Sequence, residues 1–468
     1  MSELIFQSAT RLAEIIRAKE ASPVEVVEAH IRRIEEVNPK LNAFVTTTFD
    51  RARSEAHSAE HKIARRESVG PLHGVPISIK DTFETAGVRT VAGSRLLENN
   101  IPDRDAPVVA RLKQAGAIVL GKTNVPEFAM DFRSENLVFG RTSNPWDLGR
   151  VPGGSSGGEG AAIASGCSSA GVGSDLGGSI RVPAHFCGIV GLKPTPGRIP
   201  VTGHIPLCVG PFALGNSNGP LARTVEDLGL MLKVLAGFDP ADPQSAPVPV
   251  RDSRSIEARK LRVMWHTNNG FAPVTAATRD TVERAAKALA DRRLEVEERR
   301  PAGIERAFEL WYAFLGQAGV PGIVNLYNGR EELMGPLMQA LKAIVQPLTA
   351  DQFLGAWIGR DLLRASVVTE MMDYPIILAP VTSMPAFEHD HQGGFTIEGQ
   401  EIEYLSAFSY TMTYNLLGLP GAVVPCGRSP EGLPIGVQIV GRPFEEESVL
   451  AVAALLEESL GGYQRPPI

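Results

Sequence analysis

The stretch VPGGSSGGEGAAIASG, residues 151–166, places two adjacent serines, Ser155 and Ser156, among glycines and ahead of a run of small residues. Its GGSSG portion matches the G-x-S-x-G pattern of a nucleophile elbow, a sharp turn that exposes a serine between a strand and a helix. An elbow follows directly on a strand, but the preceding NPWDLGRVPGG is rich in turn residues and contains two prolines. The stretch therefore predicts a glycine-lined turn before a helix and leaves open which nucleophile it serves.

Composition restricts the class of protein before any single residue is considered. Of the 468 residues, 43% are hydrophobic and 21% charged, which is typical of a soluble globular chain and excludes disordered and fibrous classes. The net charge of -7 is spread without a basic stripe, so we expect no nucleic-acid partner. No apolar run is long enough for a membrane span, and the N-terminus does not resemble a secretory signal, so we expect a cytoplasmic protein.

The four cysteines, Cys167, Cys187, Cys208 and Cys426, show neither CxxC nor Cys/His ligand spacing. We expect them to be reduced and mostly buried, and we expect no metal site.

The order of predicted elements indicates an α/β fold. Helices are predicted over 8–19 and after Ser22, which is an N-cap followed by proline. Strands are predicted in AFVTTTF, GVPISIKDTF and SSAGVGSD, and helices and strands then alternate. We expect a single domain over 1–468 with a large mixed twisted sheet covered by helices on both faces. Its parts are a helical section over 1–70, a core over 71–240, and a helical insertion at about 300–375 that forms a substrate entrance.

The segment at about 300–375 is unusually aromatic. The simpler interpretation is that its large side chains are core residues at helical spacing; the alternative is that they line the entrance. The residues concerned are Trp311, Tyr312, Phe314 and Trp357.

A second candidate nucleophile, Ser179, lies in GSDLGGSIRVPA. Glycines directly before a serine let backbone N–H groups converge on the oxygen that becomes negative during acyl transfer. Leu176, Gly177, Gly178 and Ser179 are the candidate donors. No histidine lies at an obvious spacing to serve as the base.

Lys80, in GVPISIKDTF, is the candidate base, since burial in an apolar run would penalise its ammonium form. The alternative is that Lys80 ends an edge strand and protects it from pairing. Periodicity alone favours the edge strand.

Together, HGVPISIKD, GGSSGGEGA and GSDLGGSIRVPAHFCGIVGLKPT resemble the signature of the amidase signature family. Similar patterns run from LNAFV through GKTNVPEF and NPWD to GPLARTVEDL, and recur in NLLGLPGAVVPCG and GLPIGVQIVGRPFEEESVL. The resemblance covers nearly the whole chain except about 300–375. Within the family it is similar to soluble fatty acid amide hydrolase-like and bacterial amidases.

The resemblance implies catalysis by a Ser-cisSer-Lys triad, a mechanism that needs no cofactor. Ser179 matches the acyl-forming nucleophile, Ser155 the relay serine after a cis peptide bond, and Lys80 the general base. The oxyanion hole falls on Leu176, Gly177 and Gly178, and supporting roles fall on Ser156, Asp175 and Arg181. Ser174 departs from the more frequent threonine but keeps the hydroxyl. Histidine substitutions, at His185 or His204 for instance, are expected to matter little.

The substrate is predicted less sharply. Ala129, Met130 and Asp131 occupy positions that shape the pocket in this family. One interpretation is that Asp131 selects a polar or cationic group of the substrate; the alternative is that it is simply solvated, as acidic loop residues more often are. The leading hypothesis is an amidase for small to medium, partly apolar or aryl amides, extending to esters and carbamates. One alternative is the glutaminase A subunit of a tRNA-dependent amidotransferase, and another is a non-catalytic binding protein. The family often forms homodimers, so a homodimer is one assembly that the resemblance allows.

Overall fold

An 11-stranded mixed sheet runs through the protein in the computed structural model, which describes residues 3–468. The strands are β1 Phe44–Thr47, β2 Pro76–Lys80, β3 Ile118–Thr123, β4 Glu135–Asn136, β5 Gly140–Arg141, β6 Ala170–Asp175, β7 Val190–Lys193, β8 Ser217–Ala222, β9 Arg262–Trp265, β10 Glu295–Glu298, β11 Ile376–Pro380, β12 Phe395–Ile397, β13 Gln400–Ile402, β14 Gly421–Arg428 and β15 Pro434–Gly441. Two pairs, β4 with β5 and β12 with β13, form small separate sheets.

The α-helices are α1 Ala9–Ala18, α2 Pro23–Leu41, α3 Phe49–Ala64, α4 Pro107–Gln114, α5 Gly157–Ala164, α6 Arg181–Cys187, α7 Pro211–Gly215, α8 Val225–Leu235, α9 Ala276–Asp291, α10 Ala307–Trp311, α11 Val320–Val324, α12 Pro336–Ile344, α13 Ala350–Glu370, α14 Ser409–Leu416 and α15 Glu446–Leu460. A π-helical turn, Tyr312–Gln317, continues α10.

The sheet order is β1-β3-β2-β6-β8-β7-β14-β15-β11-β9-β10. Every residue of β2, β6 and β15 is buried. Successive strand residues point to opposite faces, so helices must cover both faces at these strands. The predicted α/β class with a large mixed sheet flanked by helices is confirmed. The division of the chain into one domain with an insertion stays a prediction.

Strands β2 and β6 pair in parallel, with Ile77 opposite Ala170 and Ile79 opposite Val172. Parallel strands end at the same edge of a sheet, so Lys80 at the end of β2 comes close to Ser174 and Asp175 at the end of β6. The turn after β6 carries Ser179 into α6. This edge positions the candidate site.

Two local predictions differ from the structure. Lys80 is not on an edge strand, because β2 lies between β3 and β6. The predicted strand AFVTTTF ends at Thr47, and Phe49 begins α3. Ala52, Ala56 and Ala59 form the buried stripe of α3, a small-residue face that lets the helix lie close to its neighbours.

The aromatic residues of the 300–375 segment divide between the two interpretations. Phe314 is core, whereas Trp311 and Tyr312 are half-buried and line a cavity. Trp357 stacks edge-on with Phe314 but is 38% exposed. The interpretation that all four are core residues is therefore wrong.

All four cysteines are buried and unpaired, as predicted. Within residues 3–468, no helix is long and apolar enough to cross a bilayer. Nor do histidine, cysteine and carboxylate side chains gather anywhere in these residues into a set that could hold a metal ion.

Candidate active site

Lys80 lies at the centre of a buried polar cluster and has no exposed surface. Its Nζ atom is 2.7 Å from Ser155 Oγ and 2.9 Å from Ser174 Oγ. The Ser174 carbonyl oxygen lies farther away, at 3.5 Å. Burial lowers the pKa of Lys80 to about 7, against the opposing effects of Asp175, Cys208 and Glu159. An amine with such a pKa is about half neutral near pH 7, and its neutral form can accept a proton.

Ser155 and Ser156 lie in the turn that leads into α5. The Gly154–Ser155 peptide bond is cis. The Ser156 N–H donates to the Ser179 carbonyl at 3.1 Å, which joins this turn to the one after β6. Ser156 Oγ donates to the Ser174 carbonyl at 3.5 Å. A β-carbon at Gly154 would lie 2.5 Å from the Asp131 carbonyl oxygen, so only glycine fits here.

The turn containing Ser179 is held by the carboxylate of Asp175. Asp175 Oδ1 accepts from the Gly178 N–H at 2.8 Å, and Oδ2 accepts from the Ile180 N–H at 3.1 Å. Arg181 binds the same carboxylate through Nε at 3.0 Å and through a second nitrogen at 2.9 Å. Burial alone would raise the pKa of Asp175, but the charge and hydrogen bonds of Arg181 hold it well below its usual range.

Arg181 is itself fully buried and makes further bonds, so its position is over-determined. It donates to Gln438 Oε1 at 3.0 Å, to the Thr411 carbonyl at 3.1 Å and to Asn415 Oδ1. Asn415 in turn donates to Asp175 Oδ1 at 2.9 Å. Sequence reasoning did not single out Asn415, which lies far along the chain on α14 and reaches this turn only through the fold.

The backbone N–H groups of the Ser179 turn are not equivalent. The Gly178 N–H already donates to Asp175, whereas the N–H groups of Gly177 and Ser179 have no hydrogen-bond partner within residues 3–468. Gly178 has a φ of +129° and could not carry a side chain without strain. The Leu176 carbonyl accepts from Trp311 Nε1 at 3.1 Å, so the 300–375 segment contacts this turn directly.

His204, which no spacing pattern in the sequence indicated, also belongs to the polar cluster around Lys80. His204 Nε2 lies 2.8 Å from Ser174 Oγ, and Nδ1 lies 2.9 Å from the Pro206 carbonyl. Cys208 Sγ is 3.3 Å from the same Nδ1. Burial and the nearby Lys80 lower the pKa of His204 to about 3, so its ring is neutral.

Glu159, on α5, is a second buried acid and is close enough to influence the pKa of Lys80. Ser78 Oγ lies 2.5 Å from its Oε2, and burial raises the pKa of Glu159 to about 8. The carboxyl group is therefore mostly protonated near pH 7.

Two adjoining cavities open onto Ser179. The catalytic cavity, about 30 Å³, is lined by Ser155, Ser174, Ser179, His204, Cys208 and Asn216 together with apolar neighbours. The apolar cavity, about 100 Å³, is lined chiefly by Met130, Phe132, Leu176, Phe212, Trp311, Tyr312, Leu315, Val320, Leu341, Val345 and Leu405. Both are walled partly by residues before α5 and partly by the 300–375 segment.

Ala129, Met130 and Asp131 all lie on the apolar cavity. Asp131 is not simply solvated, because its Oδ1 accepts from Tyr404 OH at 2.8 Å and from the Phe132 N–H at 2.7 Å. Burial raises its pKa. The expectation of a solvated carboxylate is therefore wrong.

Glu127 connects this loop to the 300–375 segment. Its Oε2 accepts from the Gly335 N–H at 3.1 Å, and its Oε1 accepts from Ser94 Oγ at 3.2 Å and from Tyr327 OH. The next two residues, Phe128 and Ala129, have positive φ angles. Through Glu127, the loop that carries the cavity residue Ala129 is thus hydrogen-bonded both to an earlier and to a later part of the chain.

The elbow interpretation finds no support in this geometry. An elbow serine would be paired with a histidine, whereas the hydroxyl of Ser155 is paired with Lys80. His185 instead accepts from the Gly436 N–H at 2.7 Å through Nδ1.

A family model and several known proteins match most of the chain. A family model described as Amidase matches residues 25–450. The A subunit of the glutamyl-tRNA(Gln) amidotransferase of Carboxydothermus hydrogenoformans is 37% identical over 99% of each chain. Fatty-acid amide hydrolase 2 of Homo sapiens is 33% identical over 99% of this chain and 91% of that one.

Solved structures are similar over the same length. A protein from a vestigial complex, which was linked to the origins of an s-triazine catabolic enzyme, gives a TM-score of 0.90 at 31% identity and covers 98% of this chain and 100% of that one. A bacterial aryl acylamidase gives a TM-score of 0.88 at 29% identity, covering 97% and 96%.

Fold and relatives together define a hydrolase that acts on carbon–nitrogen bonds. The chain belongs to the amidase signature family.

Proposed function

We propose that the protein hydrolyses amides through an acyl-enzyme on Ser179, with Ser155 as proton relay and Lys80 as general base. The observation that carries the proposal is the 2.7 Å contact between Lys80 Nζ and Ser155 Oγ inside a cavity that Ser179 also lines. A serine hydroxyl becomes a useful nucleophile only when a base removes its proton.

In the first half-reaction, neutral Lys80 takes the proton of Ser155 as Ser155 takes that of Ser179. Ser179 Oγ attacks the carbonyl carbon, and the electron pair of the C=O bond moves to oxygen. When the tetrahedral intermediate collapses, the C–N bond breaks and the relayed proton passes to the leaving amine. Water then repeats the sequence on the ester of Ser179 and releases the acid.

We propose that the N–H groups of Gly177 and Ser179 bind the oxyanion, since both are free to donate. The Leu176 N–H also has no hydrogen-bond partner within residues 3–468, so we keep Leu176 as a further candidate donor. The Gly178 N–H was a sequence-based candidate, but it is engaged by Asp175, so we assign Gly178 the role of turning the backbone. Asp175, Arg181 and Ser156 hold the two serine turns together.

The acyl group fits the apolar cavity. Apart from Asp131, Ser179 and the hydroxyl of Tyr312, its lining is chiefly aliphatic and aromatic, which supports small to medium, partly apolar or aryl amides. Aryl esters and carbamates present the same carbonyl to the same donors, and we infer that they are side substrates. Ala129, Met130 and Asp131 form part of the wall of this cavity, which Ser179 also lines.

The second candidate is the glutaminase A subunit of a tRNA-dependent amidotransferase, and the sequence relatives favour it over a free-standing amidase. Further bacterial A subunits align over nearly the whole chain at 38–39% identity. The lining of the apolar cavity argues against this candidate. A buried carboxylate such as the α-carboxylate of glutamine needs a cationic partner, and the described lining contains no lysine or arginine.

Localisation in the cytoplasm and a homodimer stay predictions.

The deciding experiment compares substrates and labels the nucleophile. The purified chain is assayed with an acyl p-nitroanilide and with L-glutamine, and a fluorophosphonate adduct is located by peptide mass spectrometry. We expect a kcat/KM for the anilide at least about tenfold above that for glutamine, and a label on Ser179. The reverse ratio, or glutaminase activity appearing only with a copurified B-type subunit, would make the second candidate correct. A label on Ser155 would overturn the triad assignment. The control variant is Ser459→Ala, because Ser459 lies on α15 and lines neither cavity; this variant should still be labelled on Ser179.

A further inference from the structure

We propose that His204 is a positioning residue for the general base: through the hydroxyl of Ser174 it directs the lone pair of Lys80 toward Ser155. The proposal rests on the proposed function of Lys80 as base, and it replaces the sequence-based expectation that a change at His204 matters little.

The first step is the tautomer of His204. Nδ1 lies 2.9 Å from the carbonyl oxygen of Pro206, which can only accept, so Nδ1 carries the proton. The buried ring is neutral, so Nε2 has a lone pair and accepts.

The second step is the direction of the Ser174 hydroxyl. Ser174 Oγ has one proton and two neighbours, His204 Nε2 at 2.8 Å and Lys80 Nζ at 2.9 Å. Because Nε2 accepts, the hydroxyl donates to it. Ser174 Oγ is then left to accept from Lys80.

The third step concerns the three contacts of the amine. Neutral Lys80 has two N–H donors and one lone pair. The two acceptors, Oγ and the carbonyl oxygen, both belong to Ser174, at 2.9 and 3.5 Å. The lone pair remains for the third contact, Ser155 Oγ at 2.7 Å, which carries the proton that must be removed.

Without an acceptor at His204, the Ser174 hydroxyl is free to donate to the lone pair of Lys80 and to compete with Ser155. His204 also lines the catalytic cavity. Its ring makes an edge-on contact with Phe83, with ring centroids 5.4 Å apart, which helps to hold the ring in place. Phenylalanine at this position would keep an aromatic ring and that contact, and it would remove both the Nε2 acceptor and the Nδ1–H donor to the Pro206 carbonyl, whereas glutamine keeps an acceptor.

The test uses His204→Phe, His204→Gln, Ser174→Ala and the double variant His204→Phe/Ser174→Ala, assayed with an acyl p-nitroanilide. Glutamine can place an oxygen near the Nε2 position and restore the acceptor. His30→Phe is the matched control: His30 is fully buried on α2, its Nδ1 lies 2.8 Å from the Val26 carbonyl, and it lines neither catalytic nor apolar cavity.

We expect His204→Phe to lower kcat about 10- to 100-fold with KM changed less than about threefold, since binding is untouched and proton transfer is impaired. His204→Gln should recover most of kcat, and His30→Phe should keep it. In the Ser174→Ala background, His204→Phe should cost nothing further, because its effect passes through that hydroxyl.

Wild-type kcat in His204→Phe, a rise in KM alone, or costs that add in the double variant would overturn the proposal. If His204→Phe does not fold, His204→Gln decides, since a loss of kcat of about tenfold or more in a folded variant that keeps an acceptor contradicts the proposed role. Failure of the proposed function itself is recognised separately, as full activity in Ser179→Ala.

Discussion

Lys80 Nζ lies 2.7 Å from Ser155 Oγ at the buried end of an interior strand, and 75 residues of chain separate the two. The closeness follows from the parallel pairing of β2 with β6, which places the end of β2 beside the serine turns.

Activity should depend on pH through this lysine. Burial lowers the pKa of Lys80 to about 7, and only the neutral amine can take a proton. We expect kcat/KM for an acyl p-nitroanilide to rise with pH through about 7 and to level off above it, because lowering the pH protonates the base. Lys80→Ala should lose several orders of magnitude at every pH. A kcat/KM profile flat from about pH 5.5 to about pH 8.5 would contradict the role of Lys80 as base.

Gly178→Ala should abolish most activity without unfolding the protein. The residue has a φ of +129°, and an added β-carbon would lie 2.5 Å from Thr411 Oγ1, so the Ser179 turn must shift. We expect kcat to fall at least about 100-fold, since misplacing the reacting groups by about 1 Å costs that much. Gly355→Ala, in α13 with open space around it, is the control and should keep activity. Equal kcat in the two variants would show that the turn tolerates the shift.

Arg181→Met should destabilise the protein strongly. Arg181 and Asp175 form an ion pair with no exposed side-chain surface, so removal of the cation leaves a buried carboxylate unpaired. We expect the free energy of unfolding in urea to fall by about 3–5 kcal/mol. Arg292→Met, which breaks an exposed pair with Glu458, should cost about 0–1 kcal/mol. Similar costs in both would mean that the buried charge finds another partner.

Glu159→Gln should be tolerated near neutral pH. Burial raises the pKa of Glu159 to about 8, so the carboxyl is mostly protonated and resembles an amide. Its folded pKa exceeds the unfolded value, so its contribution to stability is full at low pH and is lost as pH rises toward 8. We expect Glu159→Gln to gain stability relative to the wild type as pH rises from about 5 to about 8, by up to about 1.4 kcal/mol per pH unit. Urea titrations at several pH values measure this difference, and a constant difference would show that Glu159 is ionised throughout.

The apolar cavity should respond to a charge on its wall. Leu341, on α12, lines the cavity, whereas Ile344 on the same helix is 64% exposed and does not. We expect Leu341→Asp to raise KM for acyl anilides with long apolar chains about tenfold or more and to leave acetyl anilide unaffected, because only the longer chain reaches α12. Ile344→Asp should behave as wild type. A uniform loss on both substrates in Leu341→Asp would indicate damage to the fold rather than to a binding wall.

Much of the fold could be predicted because its signals are local. The start of α2 is encoded by Ser22 and Glu25, which form a capping box, with Pro23 at the first helical position. Strand β2 is indicated by its β-branched residues, and the glycine-lined serine turns by composition alone. The family resemblance located Lys80, Ser155 and Ser179 in the chain.

The sequence by itself therefore determined the elements, the α/β class and the residues that form the candidate triad, since caps, periodicity and fixed patterns act over a few neighbouring residues. Only the tertiary structure decided that β2 is interior, that Asp175 engages the Gly178 N–H, and that His204 meets Ser174. These contacts depend on which strands pair and where separate loops meet at the sheet edge. The physical reason is that a hydrogen-bond partner distant in the chain becomes available only when the whole sheet has been assembled and water excluded from it.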